Sequence, residues 1–273
     1  SYFKERVPAR TTVQAAALPA KAGVEIGCIA YADLAGISVV RPPAGALPAP
    51  LGPYSPAVWA GDTLYVSGMG GQDPATKQVA EAVGAQVTQT VANVTTTMTA
   101  AGLGAADVVS IQAYGTQGAE AAALLEALRG QPGLRDVPTG QVVLPRLPGP
   151  IRAELTFVAA RPKQMRERVA GSGRVLRAGN TAYVAADVAP ERGADVATET
   201  RALLLRLRTM LRGVRLDLRD VAHVTMYLSD IADLPKVDAV YKEVFPNDPP
   251  ARATVQVQPQ GAERIRIAMI AAQ

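Results

Sequence analysis

The sequence predicts a mixed strand-and-helix protein built from tandem copies of one small unit, and three internal echoes predict it. Val7-Pro8-Ala9-Arg10-Thr11-Thr12-Val13-Gln14 returns as Pro249-Pro250-Ala251-Arg252-Ala253-Thr254-Val255-Gln256. Ala60-Gly61-Asp62-Thr63-Leu64-Tyr65-Val66 returns as Ala178-Gly179-Asn180-Thr181-Ala182-Tyr183-Val184. Asp107-Val108-Val109-Ser110-Ile111-Gln112-Ala113-Tyr114 returns as Asp220-Val221-Ala222-His223-Val224-Thr225-Met226-Tyr227. Self-similarity over such long intervals marks repeated supersecondary units.

In chain order, residues 1–40 read as the closing part of a first repeat. Tyr2-Phe3 ends a helix, residues 10–18 alternate as one strand and residues 24–30 as another. Two strands alone bury too little surface to be stable, so they are expected to pair with something else, either an upstream piece cut from a precursor or another chain. Residues 41–50, Arg41-Pro42-Pro43-Ala44-Gly45-Ala46-Leu47-Pro48-Ala49-Pro50, read as a stiff spacer. Boundaries near 40 and 165 then give a second domain at 51–164 and a third at 165–273. Each opens with a glycine turn and an alternating strand, then a loop with Pro74 or Pro190, an amphipathic helix, and a capped turn leading to a further strand. A second helix follows, which in the last repeat runs from about Leu234 to Val244 and is stopped by Phe245-Pro246-Asn247-Asp248-Pro249-Pro250. The closing hairpins are expected at 137–143 with 153–160, and at Ala251-Arg252 with Ile265-Arg266-Ile267.

With 273 residues and 48% hydrophobic composition, the chain can bury two or three small cores. Its apolar stretches are interrupted well short of the roughly 20 residues a membrane helix needs, and Ser1-Tyr2-Phe3-Lys4-Glu5-Arg6 has no apolar signal region, so a soluble, cytoplasmic protein is expected. One cysteine and one histidine leave no internal disulfide and no metal-ligand cluster. His223, in an alternating run, reads as structural, and Cys28 as a small buried hydrophobe. The net charge of +4 comes from 28 basic and 24 acidic residues. Arginines crowd 161–219, where Arg201, Arg208, Arg212 and Arg215 share one side of a helix and Leu204, Leu207 and Leu211 another. Without interleaved aromatic residues this is a solvated face rather than a nucleic-acid surface.

The recurring Pro-Ala-Arg phrase sets a guanidinium beside a strand, where it can grip a carboxylate through paired hydrogen bonds. Gly52-Pro53-Tyr54-Ser55-Pro56-Ala57 with Tyr65-Val66-Ser67-Gly68, Val237-Asp238-Ala239-Val240-Tyr241 through Pro250-Ala251-Arg252, and Ala9-Arg10-Thr11-Thr12 through Val24-Glu25-Ile26 together resemble the Rid (YjgF-type) family of reactive-intermediate deaminases. The resemblance implies an α+β domain, a mixed sheet covered by two helices, three of which assemble as a trimer. Tandem repeats would imitate that trimer as a pseudo-trimeric, barrel-like assembly. It also implies hydrolysis of an enamine or imine acid such as 2-aminoacrylate to a 2-oxo acid and ammonia, with no metal or organic cofactor. The site would hold an Arg for the carboxylate, a Glu near the water, a Tyr, and a Ser-Gly turn, gathered from two neighbouring domains.

Carried over residue by residue, the resemblance is uneven. The N-terminal segment keeps Arg10 and Glu25. The middle repeat keeps Tyr54, Ser67, Gly68 and an acid, Glu154, but has Gly140 in the arginine position. The last repeat keeps Arg252, yet Arg266 replaces the acid, Ser172 the Tyr, and Ala185-Ala186 the Ser-Gly, while Asp238 stands where the family often has Asn. The resemblance therefore points to one composite site, with Arg10 and Glu25 catalytic and Arg10, Tyr54, Ser67 and Gly68 binding substrate, and to a weaker second site at Arg252 and Asp238. Two other readings stand beside it: a binding or scaffold protein without turnover, and a hydrolase acting on another carboxylated biosynthetic intermediate, as chorismate-hydrolysing relatives of this fold do. Endoribonuclease activity has no local support beyond the basic helix.

Overall fold

The computed structural model describes residues 3, 6–169, 173–189 and 193–273, and Tyr2, Ser172 and Pro190 lie outside the described residues. The middle domain runs β1 (Ile37–Val40), β2 (Ala57–Ala60), β3 (Thr63–Val66), β4 (Met69–Gly70), α1 (Val83–Ala100), β5 (Val108–Gly115), α2 (Gly118–Arg129), β6 (Thr139–Val143) and β7 (Ala153–Ala160). The last runs β8 (Arg166–Arg168), β9 (Val175–Ala178), β10 (Thr181–Val188), α3 (Val196–Gly213), β11 (Val221–Leu228), α4 (Leu234–Val244), β12 (Ala251–Gln256) and β13 (Ile265–Ala272).

The two sheets have the same strand order, β1-β2-β3-β7-β5-β6 and β8-β9-β10-β13-β11-β12. In each, one parallel pair, β5 with β6 or β11 with β12, is joined through α2 or α4, and the other pairs are antiparallel, as a crossover through a helix requires. This is the α+β class the sequence predicts. The glycines of the echoed turns explain themselves: Gly61 and Gly179 have φ of 60° and 58°, a left-handed conformation that tight β-hairpin turns demand. Helix α3 begins where the Asp195 carboxylate accepts from Thr198 N–H at 2.8 Å, satisfying a donor that no helical carbonyl can reach. Its inward face, Leu203, Leu204, Leu207 and Leu211, is fully buried, and the arginines point elsewhere. They are largely spent on acids, Arg201 on Glu243, Arg206 on Asp187, and Arg208 with Arg212 on Asp217.

Alternation along the inner strands sorts two faces. Ala153, Leu155, Phe157 and Ala159 of β7 join the core under α1 and α2, and Ile265, Ile267, Met269 and Ala271 of β13 join the core under α3 and α4. The opposite faces meet across the molecule in a further apolar cluster of Val142, Leu144, Leu147, Ala186, Tyr227 and Val257, with Val13 packed on it. Here the chain closes a cycle of contacts: the N-terminal segment touches the middle domain at Gln14 and Arg146, the middle touches the last at Val143 and Gln258, and the last touches the N-terminal segment at Gln256 and Ala17. No helix among the described residues is long and apolar enough to cross a membrane.

Four expectations are corrected. The closing strands are not hairpins, because β5 lies between β6 and β7, and β11 between β12 and β13. The boundary near 40 falls on the wrong side of a strand: Ile37–Val40 pairs with β2 and Val40 is buried in the middle core, so this strand belongs with the middle domain rather than the first repeat, and Leu47 of the expected spacer packs against the same core. Residues 10–18 and 24–30 form no ladder among the described residues, the former making only isolated bridges. A strand exists through its neighbours' N–H and C=O groups, and these runs lack them. Cys28, expected inside, is exposed for the same reason.

Candidate functional site

Strand order decides which residues can meet. Ser67 and Gly68 follow β3, and β7 is the next strand over, with Glu154 paired in register with Gly70 of β4. The arginine position of the same repeat lies on β6, at the far edge of the sheet. An acid therefore shares a pocket with the Ser-Gly turn of its own domain, and the arginine must come from another segment.

The N-terminal segment supplies it. Ser67 Oγ donates to Ser55 O at 2.6 Å and accepts from Arg10 N–H at 2.8 Å, and Gly68 N–H donates to Arg10 O at 3.1 Å. Ser55 extends the clasp, its N–H donating to Pro8 O and its hydroxyl to Val7 O at 2.6 Å. Ser67 is fully buried with its hydroxyl engaged on both sides, so it is a clasp rather than a nucleophile. The Arg10 guanidinium lies over the Tyr54 ring, 4.8 Å from its centroid, a cation–π contact that fixes the plane of the fork. A β-carbon at Gly52 would stand 3.0 Å from its Nη2. It forms no ion pair among the described residues.

The floor is Glu154. The residue is 3% exposed and Oε1 has no hydrogen-bond partner among the described residues. Burial pushes its carboxyl up to about 8, because a charge without hydrogen bonds is costly in a desolvated setting. A β-carbon on Gly68 would overlap Oε1, which is why glycine closes the turn. The wall is braced from α1, where Asn93 Nδ2 donates to Gly70 O at 2.8 Å and Gln72 O at 2.9 Å.

Arg10, Tyr54, Ser67 and Gly68 thus come together, and Glu25 does not join them. Its Oε1 accepts from Thr254 N–H on β12 at 3.0 Å, placing it against the last domain. The acid beside Gly68 is Glu154, recognised in the sequence but assigned to no site. Arg252 and Asp238 do meet, as an ion pair of 2.7 Å, with the guanidinium over the Tyr241 ring. That pairing occupies Arg252. At the remaining junction, Gly140 faces Ala186, and Arg266 donates to Gln141 O at 3.2 Å while held by Glu263 at 2.9 Å. Among the described residues, one of the three junctions has both a guanidinium without an ion pair, Arg10, and a buried carboxyl whose Oε1 has no hydrogen-bond partner, Glu154.

Ser67→Ala is expected to cost about 1–3 kcal/mol, since it removes two hydrogen bonds and leaves Arg10 N–H and Ser55 O without this partner. Urea unfolding followed by limited proteolysis reads it: cleavage within residues 6–16 should precede loss of the two domain cores.

Two stretches of the chain, residues 45–146 and 167–273, match the family model described as Endoribonuclease L-PSP. A RutC family protein of Pyrococcus horikoshii is 31% identical over 110 residues, covering 38% of this chain and 84% of that protein. A protein named 3-aminoacrylate deaminase RutC, from Acinetobacter baylyi, is 40% identical over 63 residues, 23% of this chain and 50% of its own length. A 2-iminobutanoate/2-iminopropanoate deaminase of Rattus norvegicus is 39% identical over 80 residues, 29% of this chain and 58% of its own. Among solved structures, RidA of a Psychrobacter species is 30% identical and covers 44% of this chain and 97% of that one, with a TM-score of 0.40.

Proposed function

This chain belongs to the Endoribonuclease L-PSP (YjgF/Rid) family, and from that premise we propose that it hydrolyses a reactive enamine or imine carboxylic acid, 2-aminoacrylate or a near relative, to the 2-oxo acid and ammonia. The observation that carries the reading is that Gly68 is shared by both groups: its N–H donates to Arg10 O, whose guanidinium lies over Tyr54, and the unpartnered Oε1 of buried Glu154 stands where a β-carbon of Gly68 would be. The two deaminases named above act on substrates of this class.

The reaction asks for orientation and proton transfer, since an iminium carbon is already electrophilic. Arg10 takes the substrate carboxylate, with Tyr54 holding the plane of the fork. With its pKa near 8, Glu154 is mostly protonated at neutral pH and gives its proton to the nitrogen of the imine or to C3 of the enamine, either of which yields the same iminium. The resulting carboxylate then accepts a proton from the water that adds to the iminium carbon. Proton transfer to nitrogen and collapse of the carbinolamine expel ammonia and leave the 2-oxo acid, so the balance is one water consumed per ammonia released. The cycle of contacts among the three segments supports a pseudo-trimeric, barrel-like arrangement in which this junction is the working one.

The test couples the chain to an enzyme that releases 2-aminoacrylate from an amino acid and follows pyruvate formation. Faster formation than the uncatalysed rate is expected, and no acceleration at micromolar protein would overturn the reading. A binder without turnover is the second reading, favoured by the occupied Arg252 and Arg266. It predicts saturable binding of 2-oxobutanoate, a stable carboxylate, without acceleration.

A further inference from the structure

The closing runs of the three repeats align five positions in register: Val24, Glu25, Ile26, Cys28 and Ala30 correspond to Ala153, Glu154, Leu155, Phe157 and Ala159, and to Ile265, Arg266, Ile267, Met269 and Ala271. In both full domains the apolar set is covered. Ala153, Leu155 and Ala159 are 0% exposed and Phe157 4%, and Ile265, Ile267, Met269 and Ala271 range from 0% to 2%. In the N-terminal segment the same set is bare, with Val24 at 74% and Ile26 at 83%. The other face of the segment is engaged, through Glu25 on Thr254 N–H and Gly27 against His223. The other side makes these two contacts while Ile29 on it stays 53% exposed; the side that elsewhere carries helices is the barer, with Val24 and Ile26 more exposed still.

We infer that the stripe of Val24, Ile26, Cys28 and Ala30 is an interaction surface, and that its occupant is a strand-and-helix unit of this same repeat, the counterpart of residues 37–129. Three observations converge on that occupant. The stripe has the period of two that a strand buried under helices requires. In both full domains the equivalent strand is central, with β3 and β5, or β10 and β11, on its two sides, so two flanking strands are needed as well as a helix layer. Glu25 aligns in sequence with Glu154, which in its own domain lies beside a Ser-Gly turn, and the occupant would bring such a turn to Glu25. A lone covering helix would leave the backbone of 24–30 unpaired, and a second copy of this chain offers no uncommitted inner sheet, its own front units being paired with β7 and β13.

Amide hydrogen exchange on the full chain tests this, in three forms: the chain alone, the chain with a copy of residues 37–130 placed ahead of Ser1, and the chain with a copy of residues 166–244 there. In the chain alone the amides of 24–30 are expected to exchange at open-chain rates. In at least one fusion they should slow by about 100-fold or more, as amides of an inner strand do, and Ile26→Asp should abolish that protection while β5, β7, β11 and β13 stay protected. Protection in neither fusion overturns the inference, whether or not the added unit folds. Protection already present in the chain alone, accompanied by a dimer in sedimentation, assigns the surface to a second copy and overturns it equally. The readout is independent of turnover, so its failure leaves the proposed deaminase activity untouched.

Discussion

Arg10→Ala is expected to lower kcat/KM for an enamine or imine acid by about 30- to 1000-fold, the loss of one charge-assisted contact of about 2–4 kcal/mol, while Arg252→Ala changes it by less than about twofold. The contrast follows from what each guanidinium touches. Arg10 lies over Tyr54 with no carboxylate partner among the described residues, so its fork is free for a substrate carboxylate. Arg252 has the same sequence setting, yet it is neutralised by Asp238 at 2.7 Å. Arg10→Lys sharpens the test, because an ammonium keeps the charge and loses the planar, two-pronged grip; it should recover less than about a tenth of the activity. Glu25→Gln belongs in the same series as a control expected to leave kcat/KM within about twofold, since that side chain serves Thr254. Steady-state kinetics of the four variants checks the set, and equal losses for Arg10→Ala and Arg252→Ala would remove Arg10 from the site.

Why the arginine was legible in the sequence and its acid was not is a matter of topology. Arg10, Tyr54, Ser67 and Gly68 sit in short local phrases, and local phrases survive reading in one dimension. Glu25 lies at the proper separation from Arg10, and a hairpin would have put the two side by side. The inner strand intervenes, however, sending the acid of each repeat toward its own Ser-Gly turn and the arginine toward a neighbour. Nothing in the spacing between Arg10 and Glu25 carries that information, whereas the register of Gly70 with Glu154 does. The same reason moved Ile37–Val40: proline-rich composition after Val40 suggested a linker, but four residues with a neighbour to pair with make a strand. Residues 24–30 show the converse, a strand pattern whose partners are not present among the described residues.

Glu154→Gln is expected to separate function from stability. The carboxyl is raised from the ordinary 4.5 to about 8 by burial, so the folded state holds the neutral form more tightly than the unfolded chain does. The sign follows from linkage: this group's contribution is fully present below about pH 4.5 and is lost as the pH rises through about 8. The whole effect is on the order of 5 kcal/mol at most, and water entering the open junction near Arg10 reduces it. Glutamine is neutral at every pH and close in shape, so the variant should unfold at nearly the parent's urea midpoint at pH 4.5 and be the more stable of the two by about 2–4 kcal/mol at pH 9. Its turnover should fall by about 100-fold or more, since an amide can neither give a proton to the imine nitrogen nor take one from water. In the parent, kcat/KM should decline above about pH 8 as the acid ionises, and that alkaline limb should be absent from the residual activity of the variant. Urea titrations at the two pH values with a pH–rate profile provide the measurement. A stability difference that does not change with pH would mean Glu154 is not held neutral by the fold, and the proton would have to come from elsewhere. The cost of keeping an unpartnered carboxyl at the floor of this junction is intelligible only if the neutral acid is what the site uses, because a leucine or glutamine there would fold at least as well.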